Sequence, residues 1–204
     1  MAAENTGTKT SIWLNAVAVL VGLLAFIVGI VDLFPFKFFG VSAAGAIVLL
    51  SLVIPGMMLL VVGAFSLASA FSSGFSSLTK KIGTLTSVLT ILVALTILFF
   101  QLVATGEHWL NLLFGIGLLS YGVGLVAFGA LPSECNSGLR LFTAFVGVVI
   151  AFLGVIVSAS RLVHVYSDAY YTYAYFVNIA FILIGFDCLV TVTLNLLLKK
   201  GIAT

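Results

Sequence analysis

The chain has 204 residues, of which 63% are hydrophobic and only 7% are charged, and its formal net charge is +2. A water-soluble protein of this size needs charged and polar side chains to cover its surface, so this composition excludes an ordinary soluble globular protein. We infer that the lipid bilayer is the solvent of this chain. The few basic residues are spread over short segments and form no patch for a nucleic acid, so no nucleic-acid partner is expected.

Six apolar stretches are each long enough to cross the bilayer, since a helix needs about 20 apolar residues to span the hydrocarbon core. In chain order they are Ile12–Phe34, Val41–Phe71, Ile82–Val103, His108–Ala130, Leu139–Val163 and Tyr170–Leu198. The segments between them are too short to hold a soluble domain. The sequence therefore predicts an all-α integral membrane bundle of six transmembrane helices, a single transmembrane domain over residues 1–204. The pair Pro55-Gly56 predicts a kink near the middle of the second span.

The distribution of Lys and Arg predicts the orientation of the chain, because cytoplasmic loops carry an excess of both. Six basic residues fall on the side of the two termini and of the loops after the second and fourth spans: Lys9, Lys80, Lys81, Arg140, Lys199 and Lys200. Only Lys37 and Arg161 fall on the other side. We therefore expect a multi-pass protein of the cell inner (cytoplasmic) membrane with both termini in the cytoplasm.

Three helix pairs recur along the chain. They cover about residues 12–71, 82–130 and 139–198. In their second members, the corresponding glycines are Gly56, Gly122 and Gly185, and a further match joins Gly63 to Gly129. These offsets give a period of about 60 residues, which favours duplication of a two-helix unit. Each unit starts on the same side of the membrane, so the repeats are parallel, unlike the inverted repeats of many secondary transporters.

The first members of the pairs also correspond. The first and fifth spans carry glycines seven residues apart, Gly22 with Gly29 and Gly147 with Gly154, where the third span has Thr90 and Ile97. Lipid tails are as apolar as leucine, so membrane helices associate through close van der Waals contact, which small residues allow. We predict that six glycines face other helices: Gly22, Gly29, Gly122, Gly129, Gly147 and Gly154.

The first unit joins three features that are typical of one family of membrane proteins. They are the helix Val21-Gly22-Leu23-Leu24 through Gly29, the turn Phe34-Pro35-Phe36, and a second helix ending in Gly63-Ala64-Phe65; the second pair is similar over Leu112–Phe128. Over nearly its whole length the chain resembles the HdeD-like family of small bacterial and archaeal membrane proteins. The resemblance implies an integral inner-membrane protein, and one branch of the family is associated with acid resistance. It implies no catalytic residues, because the family has none established to carry over.

Asp187 is the only acidic or basic residue near the middle of a predicted span. A charge at that depth is costly unless it is paired or hydrated, so we expect its side chain to face protein or water, or to be protonated. The expected partners are hydroxyl groups on the same and neighbouring helices: Ser120, Tyr121, Thr90 and Thr191. Two interpretations stay open at this point. One is a proton or cation site, and the other is a structural carboxyl that is hydrogen-bonded to a neighbouring helix.

No enzyme signature occurs in the sequence. The two histidines, His108 and His164, fall with Glu107 and Asp168 at the ends of spans, and no two of these form a helical ligand pair such as HExxH. We therefore expect no catalytic, cofactor-binding or metal-binding residues, and no cofactor.

The sequence favours a non-enzymatic integral membrane protein that acts through helix contacts. Its expected partners are the lipid bilayer and either other membrane protein subunits, as in an accessory subunit of a complex, or further copies of itself. The alternative is a small transporter or channel that uses the intramembrane Asp187 as a proton or cation site.

Overall fold

The computed structural model is helical throughout its regular elements. It describes residues 4–33, 53–71, 75–102, 107–131, 137–159 and 169–199. These residues form six helices, numbered in chain order: α1 Glu4–Leu33, α2 Ile54–Ala70, α3 Ser77–Leu102, α4 Glu107–Ala130, α5 Ser137–Ala159 and α6 Ala169–Lys199. Each helix overlaps one predicted span, so the all-α prediction is confirmed for the described part of the chain.

Length separates α2 from the other helices. The other five are each long and apolar enough to cross a membrane. Helix α2 is apolar but has 17 residues, and residues 41–52 of its predicted span lie outside the described ranges. Pro55 falls in the first turn of α2, where the missing backbone N–H is tolerated. The expected kink at Pro55-Gly56 therefore lies at the edge of the described residues and stays a prediction.

Helix α3 starts at Ser77, earlier than the predicted span at Ile82. The Ser76 hydroxyl accepts the backbone N–H of Thr79 at 3.2 Å, and the Ser76 carbonyl accepts that of Lys80 at 3.0 Å. A serine before the first turn satisfies an N–H that the start of a helix leaves without a partner. The difference arises because the prediction followed the apolar run, which begins only after the two lysines.

The six helices form a ring in which each helix packs against the next, and α6 returns to α1. The most extensive contacts join α4 to α5 and α1 to α6. Helix α4 also touches α2 and α6, and 61% of its apolar span is buried, against 28% of that of α1. Helix α4 is therefore an inner helix, and α1 an outer one.

Large apolar side chains lie both inside and outside the ring. Those fully buried between helices include Phe114, Phe181, Leu118, Ile150 and Ile184. Those exposed on the outer face of α5 are Leu141, Phe145, Val148, Phe152 and Val155. A continuous apolar exterior of this kind suits lipid and not water. The described helices therefore form an apolar bundle that is compatible with a membrane protein.

Helix backbones approach closely where glycines face each other. Between α4 and α5, a Cβ atom added to Gly122 would lie 2.5 Å from the backbone N of Ala151 and 2.7 Å from the carbonyl O of Gly147. Between α1 and α6, a Cβ atom added to Gly185 would lie 2.6 Å from the carbonyl O of Gly22. Real Cβ atoms essentially never come within 3.0 Å of such atoms, so a larger residue at either position must force the two helices apart.

The six glycines expected to face other helices all lie against a neighbouring helix. Gly22 and Gly29 of α1 lie against α6, Gly122 and Gly129 of α4 against α5, and Gly147 and Gly154 of α5 against α4. The spacing explains this, because residues seven apart are about two helical turns apart and share one face.

We expect Gly122→Ala to lower the thermal stability of the protein in lipid nanodiscs, because the added Cβ meets α5 backbone atoms that no side-chain rotation can move. Overpacking costs about 1–3 kcal/mol, whereas alanine favours a helix over glycine by only about 1 kcal/mol. Gly56→Ala is the matched control, since its Cβ would first meet a side-chain atom, Ile97 Cγ2 at 3.2 Å, and no backbone atom. Equal melting temperatures for the two variants would contradict the role given to Gly122.

Candidate functional site

Polar side chains of the described residues collect inside the bundle. Those that are buried are Ser66, Thr79, Thr86, Ser87, Thr90, Ser120, Asn178 and Asp187. In a bilayer, polar groups are costly against lipid and find their partners on other helices. The interior of the bundle therefore contains the candidate functional site.

Asp187 lies on α6 with only 4% of its surface exposed. The Thr143 hydroxyl on α5 donates a hydrogen bond to Asp187 Oδ1 at 3.1 Å. Two other ionisable side chains lie within electrostatic range of the carboxyl, Tyr121 on α4 and Cys188 on α6, and both are buried. The carboxyl therefore faces protein, and it links α6 to α5 through a hydroxyl group.

Only some of the hydroxyls expected around Asp187 are near it. Besides Tyr121, Thr191 follows one turn later on the same helix. The hydroxyls of Thr90 and Ser120 instead donate to the backbone carbonyl of Thr86, at 2.8 and 2.9 Å. Ser120 therefore belongs to the contact between α3 and α4, and Thr90, which lies against Gly63, to the contact between α2 and α3.

Thr143 was not among the predicted partners of Asp187. It lies four residues before Gly147 on α5, as Thr86 lies four residues before Thr90 on α3. Thr90 and Gly147 are matching positions of the predicted repeat. A comparison of polar residues at matching positions of the helix pairs is therefore the signal that would have pointed to Thr143.

The Thr191 hydroxyl is enclosed by protein and has no hydrogen-bond partner. Other helical threonines use the carbonyl four residues earlier: Thr96 donates to Leu92 at 2.8 Å, and Thr193 donates to Leu189 at 2.7 Å. For Thr191, the carbonyl in that position would be that of Asp187. Thr191 therefore has a free hydroxyl one turn from a buried carboxyl.

Hydroxyl groups also tie α2, α3 and α4 together. Ser87 on α3 donates to Ser66 on α2 at 2.8 Å, and Ser120 on α4 reaches the Thr86 carbonyl on α3. Such bonds between membrane helices contribute about 0.6 kcal/mol each on average. Since each hydroxyl here already has a protein partner, we assign this group to helix packing.

Arg140, near the start of α5, caps the end of α4. Its Nε donates to the carbonyl of Gly129 at 3.2 Å, and its Nη2 donates to that of Ala130 at 3.3 Å. The last carbonyls of a helix lack partners within the helix and carry the negative end of its dipole, so a guanidinium group there is stabilising.

Among the described residues, no group of three or more His, Cys, Asp or Glu side chains is placed to hold a metal ion. His164 and Asp168 lie outside the described residues, as do the side chains of Glu107 and His108. The expectation that these four residues form no metal site stays a prediction.

Comparison with known proteins brings no relative: no family model, no curated protein and no solved structure matches the chain. The class of protein therefore rests on the fold. In the described part of the chain, five long apolar helices in one bundle indicate a multi-pass membrane protein, and the buried carboxyl of Asp187 among hydroxyl groups is its candidate site.

We expect a double-mutant cycle with Ser66→Ala and Ser87→Ala to give a coupling free energy of about 0.6 kcal/mol in lipid nanodiscs, the average for hydrogen bonds between membrane helices. Each single variant leaves one buried hydroxyl without its partner. Thr96→Val is the control, because that exposed hydroxyl bonds only the backbone of its own helix. Additive effects of the two serine changes would show that their hydrogen bond does not stabilise the bundle.

Proposed function

We propose that this chain is a non-enzymatic integral membrane protein that acts through helix contacts, as an accessory subunit of a membrane complex or as an oligomer of its own copies. The outward face of α5 carries the proposal. Leu141, Phe145 and Phe152 are 74%, 65% and 64% exposed there. They form a ridge along one side of the helix, and such ridges fit the grooves of neighbouring helices.

The resemblance to the HdeD-like family supports the same proposal through its repeated helix pairs. Two contacts between the pairs are alike at matching positions: Gly122 of α4 lies against Gly147 of α5, and Gly185 of α6 against Gly22 of α1. The contact between α2 and α3 is shifted by seven residues, since Gly63, which matches Gly129, lies against Thr90. In all three contacts, the second helix of one pair meets the first helix of another. Three copies of a two-helix unit around one axis would make this pattern of contacts.

A further correspondence supports the repeat. Thr86 on α3 faces Gly124 on α4, where an added Cβ atom would lie 2.7 Å from the Thr86 Oγ1. In the predicted repeat, the residues of the third pair that match Thr86 and Gly124 are Thr143 and Asp187. The third pair therefore has a carboxyl where the second has no side chain, which makes Asp187 a special feature of one unit.

We place the protein in the cell inner membrane with both termini in the cytoplasm, and we propose a role in stress or acid resistance, as in one branch of the HdeD-like family. The orientation is supported by two basic residues at one end of the bundle. Lys80 is in the first turn of α3, and Gly83 one turn later packs on Phe128 near the end of α4. Arg140 caps that same end of α4, so the two basic residues lie at one end of the bundle. Cytoplasmic ends of membrane helices are enriched in such residues.

A photo-cross-linking amino acid in place of Phe152 tests the proposed helix contacts in native membranes. We expect one discrete protein adduct, either a second copy of the chain or the same membrane protein in every preparation. The same amino acid in place of Phe181, which is fully buried, should give no adduct between proteins. Lipid adducts alone at position 152, with a lone monomer in mild detergent, would contradict the proposal.

A second candidate function is that of a small transporter or channel, and the Asp187–Thr143 hydrogen bond favours it. Acidic residues within membrane helices commonly mark ion paths and proton relays. The hydrogen-bond donor to this carboxyl is a neutral hydroxyl group and not a basic side chain. Copies of the chain could supply further polar lining between them.

Flux in proteoliposomes tests this second function. We expect the wild-type protein to pass protons or small cations, and Asp187→Asn to abolish the flux while keeping the fold, because asparagine is similar in size but cannot ionise. Thr193→Val is the matched control, since that exposed hydroxyl bonds only its own backbone, and its flux should equal that of the wild type. Absence of flux across a broad panel of ions would count against the transporter.

A further inference from the structure

Two polar groups of α6 remain unexplained by packing. One is the buried Asp187 carboxyl, whose bonded partner is a hydroxyl group, that of Thr143. The other is the enclosed Thr191 hydroxyl, which has no partner. We propose that Asp187, Thr143 and Thr191 form a binding site for one exchangeable proton. The proposal deepens the second proposed function by naming its ligand, and it concerns binding at equilibrium, not flux.

The positions of the two α6 residues bring their side chains together. Residues four apart on a helix lie one above the other, with Cβ atoms about 5–6 Å apart. Helical side chains also lean toward the N-terminus of the helix, so the side chain of Thr191 leans toward Asp187. The two groups do not bond directly in the structure. In the proposed site, the Thr191 side chain turns to meet the carboxyl.

Donors and acceptors balance in both protonation states of the carboxyl. An ionised carboxylate only accepts hydrogen bonds, whereas a hydroxyl group both donates and accepts. In the ionised state, Thr143 donates to Oδ1, as observed, and Thr191 can donate to Oδ2. In the protonated state, the carboxyl O–H donates to Thr191, whose own hydrogen turns to the Asp187 backbone carbonyl. Thr191 thus lets the proton come and go without repacking of the helices.

The charges around the site favour a proton over a metal ion. Arg140 is the only charged residue of α5, and its guanidinium bonds carbonyls at the end of α4. Helix α1 has no acidic or basic residue between Trp13 and Val31. Among the described residues, Tyr121 of α4 and Cys188 of α6 are the ionisable groups on which the Asp187 carboxyl acts electrostatically, and neither is basic. Two carboxyl and two hydroxyl oxygens fall short of the roughly 6–8 oxygen ligands of an ion such as Ca²⁺.

Infrared difference spectroscopy of the full chain in lipid nanodiscs, between acidic and alkaline buffer, tests the site. We expect a carboxyl C=O band that appears on acidification and is lost in Asp187→Asn. In Thr143→Val, the band should move to higher frequency, because the carbonyl oxygen loses its hydrogen-bond donor. In Thr191→Val, the band should shift in frequency and in the pH of its midpoint, whereas Thr193→Val, the same change two residues away on the exposed side, should leave both as in the wild type.

Three results would overturn the proposal. They are a band that survives in Asp187→Asn, a Thr191→Val spectrum identical to that of Thr193→Val, and a carboxylate band that responds to alkali-metal ions but not to pH. Thermal melting of each variant identifies any that fails to fold, and Asp187→Glu then reports on the site with the carboxyl retained. A titrating band without flux in proteoliposomes would support the proton site and contradict the transporter function, so the two proposals can fail separately.

Discussion

The close approach of backbones at glycine contacts is the constraint on which this bundle depends. In water, burial of leucine and phenylalanine would hold six such helices together, but lipid offers those side chains an equally apolar surrounding. What lipid cannot offer is the dense contact of two backbones where Gly122 meets Gly147 or where Gly22 meets Gly185. The two most extensive helix contacts of the bundle are the ones that contain these pairs.

Buried polar groups act differently from glycine contacts, because each needs a hydrogen bond with particular atoms of a neighbouring helix. The hydroxyls of Ser66, Ser87 and Ser120 have partners on neighbouring helices and fix how those helices align. Asp187 and Thr191 differ from them, since one can ionise and the other has no partner. A chain that needed only alignment could have used serine or threonine at position 187 at lower cost.

Sequence alone predicted the helices and the glycine faces better than the site. The length of an apolar run predicts where a span lies, and a spacing of seven residues predicts that Gly22 and Gly29 share one face. Both predictions depend only on the geometry of a single helix. The partner of Asp187 depends on which face of α5 packs against α6, and the spacing of residues within one helix does not determine that face. For this reason Thr143 was absent from the expected partners, and Thr90 was included although it packs in another contact.

Closure of the ring by α1 and α6 has a consequence for how the protein is made. Ribosomes synthesise α1 long before α6, so the surface that carries Gly22 and Gly29 has no partner while α2 to α5 enter the membrane. Among the described helices made before α6, the partner of α1 is α2, and that contact is smaller than the one with α6. A nascent chain that stops before α6 therefore presents an open glycine surface to lipid and to quality-control proteases. Insertion of α6 therefore completes the contacts of the first and the last helix in one step.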